Sequence, residues 1–231
     1  MKINKIWLKL KKFWFYVWND DSITSYILSL LFAFVIIKFI FFPTLGFILN
    51  NDFPIVAIVS GSMEHKIVDH RICDKYIVDL SSKSLSYDSW WGFCGDFYKN
   101  SEFNLDKQKF KNFEYSNGLN IGDVMILYGK NPKNIEVGEV IVFKPQDKLP
   151  NGESLFFKNY GPVIHRVIKK WEVNNTIYFQ TKGDHNPLSK NRFEQNIPQD
   201  DVIGVSILRI PYIGYVKLVF NNLLKILHII N

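Results

Sequence analysis

A chain of 231 residues is long enough for one domain of ordinary size with a buried core. Hydrophobic residues make up 47% and aromatics 16%, and the 20 Phe point to lipid contact as well as a core. The net charge of +6, from 28 Lys+Arg against 22 Asp+Glu, admits either nucleic acid or an anionic membrane surface, so its location decides. Two cysteines and scattered histidines exclude a zinc-ligand spacing, and no cofactor motif is present.

The charge is concentrated at the start of the chain. Lys2, Lys5, Lys9, Lys11 and Lys12 alternate with Trp7, Phe13, Trp14, Phe15, Tyr16 and Trp18. Basic and aromatic residues beside an apolar run mark a membrane interface. Nothing resembles a recognition helix or an RNA-binding aromatic motif, so nucleic acid is excluded as a partner. The run "ITSYILSLLFAFVIIKFIFF", residues 23–42, carries a single charge, Lys38, close enough to one end to snorkel. About 20 apolar residues span a hydrocarbon core of roughly 30 Å. A cleaved signal peptide would have a shorter apolar stretch and a small-residue cleavage site, so a retained anchor is expected. The lysine excess predicts a cytoplasmic N-terminus over 1–22, an anchor over 23–49, and an extracytoplasmic remainder.

From 50 to 210 the pattern is short runs rich in Val, Ile, Tyr and Phe: "DVMILY" (123–128), "EVIVFK" (139–144), "PVIHRVIKKWEV" (162–173), "TIYFQTK" (176–182) and "VIGVSILRI" (202–210). Asn174-Asn175 suits a two-residue hairpin turn, and Gly122 and Gly138 stand where turn glycines stand. With no long amphipathic helix in this region, the reading is a mainly β, all-β extracytoplasmic domain on an N-terminal transmembrane helix. The apolar end, 211–231, reads as a helix at or in the membrane, or as an amphipathic packing helix.

Residues 66–120 break the strand rhythm as a long insertion. Cys73 and Cys94 both lie in it and are expected either to close a disulfide loop or to remain thiols. Trp90, Trp91, Phe93 and Phe97 read equally as a small local core or as a patch dipping into the bilayer, the latter in a lid or flap.

The apolar run that begins this region stops at Ser60-Gly61-Ser62-Met63. A serine hydroxyl is a poor nucleophile without a base to take its proton. Of five histidines, His65 and His70 are close to Ser62 in sequence and His228 is in the apolar tail. That leaves His165, inside a strand, and His185, in "TKGDHNP". If 162–173 and 176–182 form a hairpin, His165 and Asp184 share its open end, where an Asp could orient the imidazole.

"SGSM" (60–63), "GDVMIL" (122–127), "GEVIVF" (138–143), "PVIHRVI" (162–168) and "TKGDHN" (181–186) follow one another as in type I signal peptidases. The histidine of "HRV", where the bacterial type has lysine, resembles the archaeal and endoplasmic-reticulum Ser-His branch. The resemblance covers about residues 23–215. It implies a membrane-bound serine endopeptidase that removes signal peptides from exported preproteins, without metal or cofactor. Its partners would be preprotein signal peptides, the lipid bilayer and the protein-export machinery; its place would be the cell or endoplasmic-reticulum membrane.

Residue by residue, the resemblance makes Ser62 the nucleophile, Ser60 a donor to the oxyanion, His165 the general base and Asp184 one of the family's acids. Ile58 and Val59 would line shallow pockets for small substrate side chains. Two positions depart from the pattern. Glu64-His65 stands where the family commonly has Pro two residues after Met. The second acid that usually follows "GD-x-N" is missing, with Lys190 about where it would fall. The acid that holds His165 is therefore open among Asp184, Glu194, Asp200 and Asp201, with Asp184 preferred and Glu194 as substitute. A Ser/Lys dyad using Lys158, Lys169 or Lys170, and an inactive binding protein of the same fold, are the alternatives.

Overall fold

The computed structural model describes residues 2–99, 103–145, 161–189, 192–216 and 219. Its contacts divide the chain into two compact units, Met1–Ile48 and Leu49–Asn231.

The first unit is helical. Helix α1 (Lys2–Asn19) is followed by α2 (Ile23–Ile36), a π-helical turn over Ile37–Phe41, and α3 (Phe42–Ile48). Pro43 explains the widened turn, because it has no N–H for the carbonyl one turn back and its ring crowds that carbonyl. Ile23–Ile48 together form one helix of 26 residues, long and apolar enough to cross a membrane. The α1–α2 corner is built from short polar side chains. Ser22 caps α2 by accepting from the Ser25 N–H, and Ser25 Oγ donates to the carbonyls of Tyr16 and Val17 at 2.8 and 3.1 Å. Trp14 and Trp18 meet Phe32 edge-on.

The second unit contains β1 (Ile55–Ala57), β2 (Lys66–Val68), β3 (Arg71–Ile72), β4 (Lys75–Tyr76), β5 (Ser82–Ser84), α4 (Tyr87–Lys99), α5 (Lys107–Lys111), β6 (Val124–Tyr128), β7 (Val140–Phe143), β8 (Val163–Val173), β9 (Thr176–Lys182), α6 (Arg192–Gln195), β10 (Ile197–Pro198) and β11 (Val202–Ile210). Seven strands form one antiparallel sheet in the order β1-β6-β11-β7-β8-β9-β10. Both faces of its centre are covered. In β7, Val140 and Val142 pack with Met125, Leu127 and Met63, while Ile141 and Phe143 pack with Val167, Ile177 and Phe179. The two-residue period of a strand sends successive side chains to opposite faces, which is why all four are buried. The β8–β9 hairpin turns through Asn174 and Asn175, both at positive φ (49° and 62°) as a primed two-residue turn requires.

The insertion is a second folded layer. Strands β2 to β5 make a four-stranded sheet in the order β4-β3-β2-β5, and Cys73 and Cys94 are disulfide-bonded. Its core is aromatic: Tyr87, Trp90, Trp91 and Tyr98 of α4 with Phe110 of α5, closed against Ile168 of β8. Helix α4 corrects the expectation of no long helix here. Its buried residues recur at 87, 90, 91, 94 and 98, a single helical face, but Gly92, Gly95 and the aromatics weaken its helix propensity. Burial of that face against the insertion core is what stabilises it. Trp90 and Trp91 are 0% and 4% exposed, which makes them core residues rather than a bilayer-facing patch. The expected C-terminal membrane helix falls almost wholly outside the described residues.

Candidate active site

Ser62 lies in the turn between β1 and β2. Its neighbours hold the backbone in place. Met63 is fully buried in the core, the Glu64 N–H donates to the Gly61 carbonyl at 3.0 Å, and the His185 N–H donates to the Ser62 carbonyl at 2.9 Å. Glu64 Oε1 accepts from the Ile121 N–H at 3.0 Å, fastening this turn to the segment before β6. With the backbone so engaged, the Ser62 hydroxyl points to the His165 imidazole, its Oγ 3.0 Å from Nε2. Ser60 Oγ stands 3.3 Å from Ser62 Oγ on the exposed side.

His165 is in β8, opposite Ile141 of β7, and is 5% exposed. Its other ring nitrogen, Nδ1, is in ion-pair contact with Oε1 of Glu194, which is 2% exposed in α6. The short helix is tied down by Gln195, whose Nε2 donates to the Ser189 carbonyl at 2.8 Å, and by β10, which pairs with β9. Ser62, His165 and Glu194 thus stand in succession as hydroxyl, imidazole and carboxylate, the first two at hydrogen-bond distance and the last two in ion-pair contact.

Asp184 is placed elsewhere. Its Oδ1 and Oδ2 accept from Arg166 Nε and Nη2 at 3.1 and 2.8 Å, and Oδ2 is 3.3 Å from His65 Nε2. The reason is the strand period. His165 and Arg166 are consecutive in β8, so they face opposite sides, and Asp184 lies with Arg166. The carboxylate against His165 is therefore Glu194 rather than Asp184. Asp200 and Asp201 are in the turn before β11. Arg166 is fully buried, also donating to the carbonyls of Glu114, Tyr115 and Gly138, with its guanidinium 4.8 Å over the Phe110 ring.

Burial opposes ionisation of Asp184, but Arg166 and His65 outweigh it and hold the carboxyl well below the usual range. Burial pushes His65 down, against the pull of Asp184. Lys182, buried between Tyr98 and the Gly183 carbonyl, is pushed down by burial to about 8, again opposed by Asp184.

Gly183 leaves no room for a side chain beside the reacting groups. A Cβ there would lie 2.7 Å from the Ser62 carbonyl oxygen and 2.8 Å from His165 Nε2. Of the two expected pocket residues, Ile58 is in the core and 2% exposed, whereas Val59 is 60% exposed. Among the alternative bases, Lys169 lies over Trp171 and Lys170 donates to the Lys133 and Ile135 carbonyls. Lys158 and Lys190 are outside the described residues. Sequence assigns Arg166 no role in the site beyond its place in "HRV", marks His65 only as a departure from the family pattern, and reads Trp90 only as a core or bilayer-facing aromatic.

No family model matches the chain. It is 33% identical over 106 residues to the signal peptidase complex catalytic subunit SEC11C of Homo sapiens, covering 44% of this chain and 50% of that protein. It is 29% and 28% identical over 106 residues to the catalytic subunits SEC11 of Fusarium vanettenii and Verticillium alfalfae, covering 44% of this chain and 55% of each of them. The chain spans about half the length of the curated relatives it matches. Over these 106 residues the chain is similar to signal peptidase complex catalytic subunits, in keeping with the resemblance of its motifs to those of type I signal peptidases.

Proposed function

We propose that this protein is a membrane-anchored serine endopeptidase that removes signal peptides from exported preproteins. One observation carries the reading: Ser62 Oγ at 3.0 Å from His165 Nε2, with Glu194 on the opposite ring nitrogen. A base in that position takes the hydroxyl proton as the oxygen attacks, and the carboxylate orients the ring and stabilises the imidazolium.

Ser62 Oγ bonds to the scissile carbonyl carbon while its proton passes to His165 Nε2. Ser60 Oγ, on the exposed side of Ser62, serves as a donor to the developing oxyanion. The tetrahedral species collapses to an acyl-enzyme, and His165 returns the proton to the leaving amine. Water repeats the sequence, giving its proton to His165 and releasing the acyl product and free Ser62. Asp184, engaged by Arg166 and His65, frames the site instead of orienting His165.

Strand β1 pairs with β6 and lies at the end of the strand order, so an extended substrate segment would add along its open edge. Val59, just beyond β1, would meet the small side chains before the cut. In the chain, Ser62 follows the apolar helix after only 13 intervening residues, 49–61. The N-terminus would be cytoplasmic and the peptidase unit extracytoplasmic.

The test is cleavage of a preprotein by purified protein in detergent. Wild type should cut between the small residues and the mature chain; Ser62→Ala and His165→Ala should not. Survival of activity in His165→Ala would favour a lysine base, and an inert wild type would favour a binding protein.

A further inference from the structure

The insertion meets the candidate active site at His65, the residue just before it, which stands where the resembled family commonly has proline. The His65 ring is 4% exposed and stacks on Trp90 of α4, with centroids 3.8 Å apart and planes at 5°. Its Nε2 is 3.3 Å from Asp184 Oδ2. Its Nδ1 has no hydrogen-bond partner among the described residues, so the Asp184 contact is the polar anchor that sets the ring's orientation. Trp90 itself donates from Nε1 to the Asp184 carbonyl at 3.3 Å. One turn further along α4, Cys94 is bonded to Cys73, whose N–H donates to the His185 carbonyl at 3.2 Å.

The segment Gly183–His185 is thus held at three points: at the Asp184 carboxylate by His65, which stacks on Trp90, and by the insertion itself at the Asp184 and His185 carbonyls. The same segment carries the close contacts of the reacting groups. The His185 N–H holds the Ser62 carbonyl, and a Cβ on Gly183 would collide with both the Ser62 carbonyl oxygen and His165 Nε2. A shift of this segment would move Ser62 relative to its base.

We infer that His65 and Trp90 are positioning residues: the insertion uses the stacked pair to lock Gly183–His185 and so sets the distance between Ser62 Oγ and His165 Nε2. This rests on the peptidase reading above. Both side chains are buried away from solvent, so their effect should fall on the chemical step. Loss of a grip that lets the reacting atoms part by about 1 Å costs on the order of a hundredfold in rate, without a matching change in substrate binding.

The experiment uses the purified full chain in detergent, with disulfide formation checked on a non-reducing gel and folding checked by melting. The substrate is a preprotein whose apolar signal segment ends in small residues. His65→Leu keeps bulk but removes the N–H to Asp184, His65→Gln restores an N–H near the Nε2 position, and Trp90→Phe keeps a stacked ring but loses the donor to the Asp184 carbonyl. Expected are a kcat about 10- to 100-fold lower for His65→Leu with KM within about twofold, recovery of most of it in His65→Gln, and a fall of several-fold in Trp90→Phe. Wild-type kcat in His65→Leu, a loss that His65→Gln does not restore, or a change confined to KM would overturn the inference. Should His65→Leu fail to fold, Trp90→Phe decides, and wild-type kcat there overturns it. An inert wild type refutes the peptidase reading itself, and the positioning role with it.

Discussion

The contact at Gly183 makes a sharp demand on any catalytic role for this site. Gly183→Ala adds one methyl group at a position outside the left-handed backbone region, so the substitution carries no conformational penalty and its effect is steric. The new Cβ would stand 2.7 Å from the Ser62 carbonyl oxygen, 2.8 Å from His165 Nε2 and 2.7 Å from Asn186 Nδ2. Ordinary contact begins at 3.4 Å, so these atoms must withdraw by about 0.6 to 0.7 Å. The Ser62 carbonyl resists, because it accepts the His185 N–H at 2.9 Å, and the imidazole is backed by Glu194. Overpacking of this kind destabilises by about 1–3 kcal/mol, and a misplacement approaching 1 Å between nucleophile and base costs up to about a hundredfold in rate. The expectation is a kcat in preprotein cleavage lowered at least about tenfold, with the protein still folded by thermal melting. A folded Gly183→Ala protein with kcat within about threefold of wild type would show that the Ser62–His165 spacing at this loop does not govern the reaction.

The remaining expectations follow from the same contacts. Glu194→Gln should lower kcat by about two to four orders of magnitude while leaving KM nearly unchanged, whereas Asp184→Asn should lower stability and cost kcat no more than the roughly hundredfold expected of His65→Leu; steady-state kinetics and melting separate the two. Arg166→Met leaves the Asp184 carboxylate buried without its main partner and should cost about 3–5 kcal/mol in urea unfolding. Because the folded-state carboxyl of Asp184 is depressed, the stability it contributes is present above the unfolded value of about 3.9 and is lost as pH falls below it; Asp184→Asn should flatten that part of the acid profile. The Cys73–Cys94 link closes a loop of sequence separation 21, so replacing both cysteines by Ala should destabilise by about 3 kcal/mol, read as a lower melting temperature.

Much of the architecture was legible because it depends on local pattern. A run of some 20 apolar residues with one lysine reads as a helix of membrane-crossing length, and Val/Ile-rich segments punctuated by Gly and Asn-Asn read as strands and turns wherever they fold. The chain from 162 to 182 is a hairpin on that evidence alone, and it puts His165 and Asp184 at the same end. The helix over 87–99 was illegible for the opposite reason. Its glycines and aromatics argue weakly for any local structure, and only the core formed with Phe110 and Ile168, together with the link to Cys73, holds it helical.

By itself, then, the sequence specified an apolar helix of membrane-crossing length, a β-rich body and the serine and histidine that stand out in it, since hydrophobic length, strand period and motif order are all carried along the chain. Which carboxylate meets His165 was settled in three dimensions. Consecutive residues of β8 face opposite ways, so Arg166 draws Asp184 to the insertion side while α6 carries Glu194 to the imidazole. Sequence separation holds no information about that choice; the pairing of buried charges across packed layers does.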